Sequence, residues 1–427
     1  MSRPSSAREP ETATDGESGI DGTSASDGTS TGVAARGRES SPTPRMQDSK
    51  ADDTVDSNAD EPRTRADDKR VLVVTGLSHK NRRHYGPLAD VAGETTLVAL
   101  EPRYDVDGAR YVTVPEIGPR LVRVVLMLFV ALYEGYRTEY DAVASISLFP
   151  YGWYALVLKA VYGYPAHLGI IGIDLDHHAE QFYGPVPRWA FRRFDAVSVP
   201  GTDHARRLAE MGVPPNRIER LTNAIDVDTY RPLEDADADG TGDATGPIDA
   251  DYDFVWVGRF GPEKDPVRFV EALDALEGTG REFRAVMVGD GQLRGAVEAE
   301  LAARGLEERV DLPGWVDEPL SYYRRADTFV LTSERDALPL VMLEAMATGL
   351  PAVVPAVGSI PDVVDDCENG LLLTGRDPVR FAEALTRCLE DPAFRRRLGE
   401  NAVAVRSQFS LERAGEDWQR ILATLED

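Results

Sequence analysis

The sequence SERDALPLVMLEAMATG, residues 333–349, follows a short apolar run and decides the fold class. That run, residues 328–331, is typical of a strand that is buried on both faces. Pro339 suits the first turn of a helix and Gly349 suits the position after its last residue, so the sequence predicts a helix over residues 339–348. A strand that leads through a short loop into a helix is the unit from which parallel α/β sheets are built.

Two carboxylates flank the start of this predicted helix. Asp336 lies just before it, and Glu344 lies inside it among apolar residues, where a carboxylate requires a partner. The helix start, at Leu338, Pro339 and Leu340, is a candidate donor-binding segment, because a helix N-terminus presents unpaired amides and the positive end of the helix dipole. Such a terminus favours a phosphate group, so this stretch predicts an anion-binding site.

A second loop carries two cations. Gly258, Arg259 and Lys264 follow the apolar run 254–257, which again predicts a strand ending at the carboxyl edge of a sheet. Two positive charges five residues apart suit a ligand with several phosphate oxygens. Lys264 is also the only lysine after Lys159, so a lysine-poor chain retains one here. Taken alone, the loop is better explained as an exposed pair of surface cations.

A third loop is a glycine-flanked turn. Gly289 and Gly291 enclose Asp290 after the apolar run 285–288. Because glycine has no side chain, a flat group can approach the backbone closely at these positions. The turn therefore adds a candidate surface for the same ligand.

Apolar runs separated by helix-like stretches recur along the chain and predict two doubly wound α/β domains. We place the first domain at residues 69–232, an acidic Gly-rich linker at 233–250, the second domain at 251–408 and a C-terminal helical segment at 409–427. The predicted strands are 71–75, 96–100, 142–147, 167–171 and 196–200 in the first domain, and 254–257, 285–288, 310–312, 328–331, 352–355 and 370–373 in the second.

Composition restricts the class of protein and its surroundings. Residues 1–68 contain no aromatic side chain and are predicted to form a disordered acidic tail. The whole chain has 73 acidic and 47 basic residues and a formal charge of −26, which argues against a nucleic-acid partner. An acidic chain with only five lysines is typical of a halophile, although a GC-rich genome explains the arginine bias equally well. Two cysteines and no apolar leader indicate the cytoplasm.

One apolar segment could contact a membrane. Residues 124–133 are apolar on every face and follow Arg120 and Arg123, but a bilayer span needs about 20 apolar residues. A buried helix is the favoured interpretation. An interfacial helix, with the basic and aromatic residues 188–193 as a second contact, stays open and would place the protein on the inner face of the membrane.

The second domain resembles the nucleotide-binding half of the retaining GT-B glycosyltransferases, in particular glycosyltransferase family four. The arginine and lysine of that family, five residues apart, match Arg259 and Lys264, and its Gly-Asp-Gly turn matches residues 289–291. Its pair of acids separated by seven residues matches Asp336 and Glu344. Weaker likeness covers residues 312–316, 358–362 and 368–372 in the second domain, and 172–174 and 223–232 in the first.

The resemblance implies a GT-B fold in which two Rossmann-like domains face each other across a cleft and the C-terminal helix crosses back to the first domain. It implies a nucleotide-sugar donor, transfer with retention of anomeric configuration, and neither a cofactor nor an obligatory metal. Arg259, Lys264 and the helix start would then stabilise the departing diphosphate. Glu344 would bind the ribose, Asp336 the sugar hydroxyls, and Asp174 would lie toward a glycan, lipid-linked or small-molecule acceptor.

This sequence departs from the family pattern at several positions. Asp336 and Asp362 occupy positions where the family has glutamate, Ala337 replaces a glycine, and Ile171 replaces a histidine. These changes affect the expected sugar and acceptor contacts more than the nucleotide site.

Other activities stay open at this stage. A sugar-nucleotide epimerase shares the architecture, and a degenerate nucleotide-sugar-binding scaffold would tolerate the departures. Asp-x-Asp pairs at 105/107, 174/176 and 226/228 could suggest a metal-dependent glycosyltransferase, but an acidic chain produces such pairs by chance. A phosphorylase of similar two-domain architecture would need a second-domain lysine for pyridoxal phosphate, and the only candidate, Lys264, is already explained by the phosphate site. His177 with His178 is better explained as a loop or helix cap than as a metal site.

Overall fold

The computed structural model describes residues 68–76, 81–100, 106–170, 174–175, 179, 183–233 and 251–426. The predicted acidic tail up to residue 67, most of the linker and the pair His177–His178 lie outside these ranges. Residues 171–173, which include part of the first-domain family motif, also lie outside them.

The first domain is built on a seven-stranded parallel sheet with the order β3-β2-β1-β4-β5-β6-β7. Its strands are β1 (Arg70–Thr75), β2 (Glu94–Ala99), β3 (Ala109–Thr113), β4 (Ala142–Ile146), β5 (Ala166–Gly169), β6 (Ala196–Val199) and β7 (Ile218–Arg220). Its helices are α1 (Asn81–Val91), α2 (Arg120–Arg137), α3 (Trp153–Tyr162), α4 (Pro185–Phe191) and α5 (Thr202–Glu210).

The second domain contains a six-stranded parallel sheet with the order β10-β9-β8-β11-β12-β13. Its strands are β8 (Tyr252–Val257), β9 (Ala285–Val288), β10 (Val310–Gly314), β11 (Ala326–Val330), β12 (Ala352–Pro355) and β13 (Gly370–Leu373). The helices that follow are α6 (Pro266–Glu277), α7 (Arg294–Arg304), α8 (Leu320–Tyr323), α9 (Leu340–Ala347), α10 (Pro378–Glu390), α11 (Pro392–Ala402), α12 (Val405–Gln408) and α13 (Leu411–Thr424).

Both sheets have the Rossmann strand order, with the direction of winding reversed next to β1 in one sheet and next to β8 in the other. The prediction of two Rossmann-like domains is therefore confirmed. Central strands such as β4 are buried along their whole length, which is why they read as continuous apolar runs. The edge strands β3 and β7 are only partly buried and lack such a run, so sequence analysis missed them.

The C-terminal helix α13 lies against the first domain. Trp418 is fully buried, and its indole nitrogen donates to the backbone oxygen of His84 at 3.1 Å. The buried carboxylate of Asp417 accepts a hydrogen bond from the backbone nitrogen of Thr222 at 2.7 Å. The last helix therefore packs on the domain that contains the first strand, β1.

Helix α2 differs from the favoured expectation of a buried helix. Met127 and Ala131 are fully buried against the first sheet, but the opposite face is open. Leu121 is 76% exposed and Tyr136 is 79% exposed, and Phe129 between them is also exposed. The expectation of a buried helix is wrong for this face, because hydrophobicity alone does not say which side finds a partner. Within the described part of the chain, no helix combines the length and the apolar composition that crossing a bilayer requires.

Candidate functional site

The candidate site lies at the carboxyl ends of two neighbouring strands. β8 and β11 are paired in parallel, so the loops that follow them, residues 258–265 and 331–339, leave the same edge of the sheet side by side. This position is the topological switch point of the sheet, where open α/β folds bind their ligands.

Lys264 and Asp336 join the two loops directly. The Nζ atom of Lys264 contacts Oδ2 of Asp336, and both side chains are largely buried. The hydroxyl of Ser333 donates to the same carboxylate oxygen at 3.2 Å. The two loops also share a backbone hydrogen bond from the nitrogen of Glu334 to the oxygen of Glu263, at 2.9 Å. A cation and a hydrogen-bonding carboxylate are therefore held together at the switch point.

The buried residue Thr332 connects these two loops by hydrogen bonds. The hydroxyl of Thr332 donates to the backbone oxygen of Asp265 at 2.9 Å and accepts from the indole nitrogen of Trp256 at 3.1 Å. Because Trp256 and Thr332 are fully buried, this contact fixes the loop that carries Lys264 relative to strand β11.

The Gly-Asp-Gly turn lies close to the same loop. Gly289 has φ +142°, and a Cβ atom there would lie 1.9 Å from the backbone oxygen of Gly258. Gly291 has φ +155°, and its Cβ would lie 2.6 Å from the oxygen of Phe260. The two glycines are thus required for close packing of chain on chain, in addition to any ligand they contact.

Arg259 is the predicted cation that does not join the pair. Its side chain is 71% exposed and forms an ion pair with Glu263, with 2.7 Å between Nη2 and Oε1. It therefore stands at the rim of the site, whereas Lys264 lies inside it.

The helix after β11 begins one residue later than expected. α9 runs from Leu340 to Ala347, and Pro339 is its N-cap residue, not its first helical residue. The side chain of Leu338 is buried, and its backbone oxygen accepts a hydrogen bond from Nδ2 of Asn223 at 3.0 Å. Leu340 packs partly against the core. These residues therefore shape the helix start, where Leu338 and Leu340 each carry a backbone N–H group and Pro339 carries none.

Glu344 has a partner from the other domain. It is 6% exposed, and its Oε1 lies 3.5 Å from Nη2 of Arg83, which belongs to α1. Burial raises the pKa of Glu344, and the positive charge of Arg83 opposes that rise. The site is thus completed by the first domain.

Two family models match the chain, one for each domain. Residues 63–224 match the glycosyl transferase 4-like domain, and residues 243–405 match glycosyl transferases group 1. The second domain belongs to the glycosyl transferases group 1, and the first domain to the glycosyl transferase 4-like domains. The family resemblance that we inferred from the acidic pair and the two cations is therefore confirmed.

The chain is similar to named glycosyltransferases of other organisms. It is 31% identical over 253 residues to alpha-D-kanosaminyltransferase of Streptomyces kanamyceticus, which is 56% of this chain and 63% of that protein. It is 34% identical over 221 residues to D-inositol 3-phosphate glycosyltransferase of Thermomonospora curvata, which is 47% of this chain and 50% of that protein. The chain thus spans about half to three-fifths of the length of these relatives.

Solved structures support the fold. HepE of Anabaena in complex with UDP-glucose superposes with a TM-score of 0.67 at 16% identity, over 83% of this chain and 99% of HepE. Sucrose-phosphate synthase of Thermosynechococcus elongatus superposes with a TM-score of 0.66 at 20% identity, over 82% of this chain and 96% of that one. The GT-B prediction for this chain is confirmed.

Asp174 lies apart from the other predicted site residues. Its side chain is fully buried, and each carboxylate oxygen accepts from the backbone nitrogen of Leu148 at 3.1 Å. The hydroxyl of Ser147 lies 3.3 Å from Oδ1. Burial raises the pKa of Asp174 to about 6. The carboxylate holds the loop after β4, at the carboxyl edge of the first sheet.

The Asp-x-Asp pair at 226/228 forms a turn. The carboxylate of Asp226 accepts from the backbone nitrogens of Asp228 and Thr229, both at 3.1 Å. Among the residues described, no cluster of three histidine, cysteine or acidic side chains has the geometry to hold a metal ion. Asp105 and Asp176, from the other two pairs, lie outside the described ranges.

Sequence analysis missed several residues that border the site. Arg83, Asn223 and Ser333 contact Glu344, Leu338 and Asp336 respectively. Arg83 is 261 positions from its partner and Asn223 is 115 positions from its own. Ser333 and Asn223 lie in stretches that the sequence analysis singled out, residues 333–349 and 223–232, whereas Arg83 had no local signal.

Proposed function

We propose that the protein is a retaining glycosyltransferase that moves a sugar from a nucleotide sugar to an acceptor. The observation that carries this proposal is the contact of Lys264 with Asp336 beside the N-terminus of α9, at the switch point of the second sheet. A cation and free backbone amides suit a diphosphate, and the adjacent carboxylate suits sugar hydroxyls. Family membership supports the same assignment.

Departure of the diphosphate is the step in which this geometry helps most. Negative charge grows on the phosphate oxygens as the bond to the sugar breaks, and Lys264 and the amides of α9 are already in place to stabilise it. Arg259, exposed at the rim, can leave Glu263 and add a second charge from the solvent side. Lys264 gives up part of its contact with Asp336 to the phosphate, which frees the carboxylate to accept from the sugar.

Glu344 is assigned to the ribose. Its two carboxylate oxygens can accept hydrogen bonds from the two ribose hydroxyls, provided that the group is ionised. Arg83 favours the ionised form, against the effect of burial. The contact with Arg83 is long, at 3.5 Å, so the carboxylate keeps capacity to accept from a bound ribose.

The acceptor is assigned to the carboxyl edge of the first sheet, and we propose that it is lipid-linked. The exposed apolar face of α2 supports this, and Trp153 with the exposed Trp189 adds an aromatic pair whose stacked ring centroids lie 6.1 Å apart. Phe149, which packs on Trp153 at 6.2 Å, brings that surface to the loop after β4. The guanidinium of Arg193 lies 4.7 Å from the Trp189 ring. An aromatic and basic surface of this kind suits the headgroup region of a membrane.

Donor binding followed by product analysis tests the proposal. We expect one of a panel of UDP-, GDP- and ADP-sugars to raise the melting temperature of the full chain. With that sugar labelled, transfer to an acceptor or slow release by water supports the proposal. Conversion to an isomeric nucleotide sugar would identify an epimerase, and binding without any turnover would identify a scaffold.

A further inference from the structure

A carboxylate of the second domain caps a helix of the first. Helix α5 begins at Thr202, and its N-cap residue, Gly201, has no side chain with which to accept a hydrogen bond. Instead, Oδ2 of Asp362 accepts from the backbone nitrogen of Thr202 at 2.7 Å, and Oδ1 accepts from its hydroxyl. A negative charge at this end of a helix is favourable both for the unpaired amide and for the helix dipole.

The two segments pack tightly around this contact. A Cβ atom at Gly201 would lie 2.3 Å from Cβ of Ser359 and 2.6 Å from Oδ2 of Asp362. Glycine is therefore needed at position 201 for the loop of residues 357–362 to reach the helix. Ser359 is fully buried by this arrangement.

The same loop supports the segment that carries Asp336. The backbone nitrogen of Ser359 donates to the oxygen of Ala337 at 2.8 Å. Gly358 has φ +52°, and a Cβ atom there would lie 1.8 Å from the backbone oxygen of Asp336. The loop of residues 357–362 thus touches the α5 terminus with one end and the Asp336 segment with the other.

We propose that Asp362 and Thr202 form a latch between the two domains that positions Asp336 for the reaction. When the cap is made, the loop of residues 357–362 is pressed against the Asp336–Ala337 backbone, and the carboxylate is held next to Lys264. When the cap is broken, the loop loses its support from the first domain and the Asp336 segment gains freedom. Asp362 is exposed to solvent, so the cap can open and close without the cost of burying an unpaired charge.

The role of the latch in turnover rests on the proposed function, but the coupling between the two segments does not. Amide hydrogen exchange of the full chain without any ligand measures it directly. Thr202→Val removes the hydroxyl and keeps the shape, and Asp362→Asn removes the charge. In both variants we expect exchange to rise about tenfold in residues 202–206 and also in residues 336–343, across the cleft. Thr202→Ser should behave like the wild type.

Thr424→Val is the matched control. The hydroxyl of Thr424 donates to Glu219 at 2.8 Å on the first-domain side, so its loss should leave exchange in residues 336–343 unchanged. Faster exchange confined to residues 202–206 in the two latch variants would mean a local helix cap and would overturn the proposal. If the donor sugar is transferred, the latch variants should also lose turnover about tenfold with little change in the donor KM. A rise in KM at unchanged turnover would refute the positioning role.

Discussion

Lys264 and Asp336 are 72 residues apart in the chain, yet the ammonium group of one contacts the carboxylate of the other across the switch point of the second sheet. Each charge lowers the cost of burying its neighbour, because an isolated charge in this largely buried position would be strongly unfavourable. The two side chains of the proposed donor site are therefore held together by the fold itself. Its response to mutation should show which partner serves the phosphate and which serves the sugar.

Replacing Lys264 by methionine should weaken binding of the nucleoside diphosphate by about 10- to 100-fold, because a hydrogen bond to a charged group contributes about 1.5–3 kcal/mol. Isothermal calorimetry measures this. Lys159→Met is the matched control, since that lysine pairs with Asp195 at 2.7 Å in the first domain. Equal loss of affinity in both variants would show a general effect of positive charge, with no specific site at Lys264.

Substitutions of Asp336 and Glu344 should affect different properties, turnover in the first case and nucleotide affinity in the second. Asp336→Ala removes a sugar contact and leaves Lys264 free for phosphate, so turnover should fall at least tenfold while affinity for the nucleoside diphosphate stays equal or rises. Glu344→Gln should weaken that affinity by about 10- to 100-fold. Calorimetric affinities for the nucleoside diphosphate, measured together with steady-state transfer rates, separate these two effects. Loss of nucleotide binding in Asp336→Ala but not in Glu344→Gln would reverse the assignment.

Asp174 should make stability depend on pH. Because burial raises its pKa from 3.8 to about 6, the folded protein binds more protons than the unfolded chain between these values. The free energy of unfolding should therefore fall as pH rises from about 4 to 6, by up to about 3 kcal/mol. Asp174→Asn keeps an oxygen for the amide of Leu148 but does not titrate, so its stability should lack this decline. Parallel denaturation profiles for both proteins from pH 4 to 7 would contradict the prediction.

The exposed face of α2 should bind lipid. The double variant Leu121→Ser, Phe129→Ser should co-sediment with phosphatidylglycerol vesicles at least tenfold less than the wild type, because burying each side chain contributes about 1.5–3 kcal/mol. Val379→Ser, at an exposed valine of α10, is the control. Failure of the wild type to bind at any salt concentration would remove the lipid-facing proposal.

Several strands and helix ends depend on local chemistry, so they could be predicted from the sequence. Strands such as β9 and β12 are buried along their whole length, so each appears as an apolar run with the same limits in sequence and structure. The start and end of α9 are set by Pro339 and Gly349, whose backbone preferences act over one or two residues. The spacing of the charged residues in the two loops was enough to identify the family.

The contacts between charged residues that are distant in sequence were visible only in the tertiary structure. Lys264 lies against Asp336 while Arg259 remains at the rim, and Arg83 reaches Glu344 from the other domain. The exposed side of α2 was also undetermined, because an apolar helix has no internal signal for which face a sheet will cover. A residue's backbone preference depends on its immediate neighbours, whereas a contact between distant residues depends on how strands order and domains close, and these are properties of the whole assembled fold.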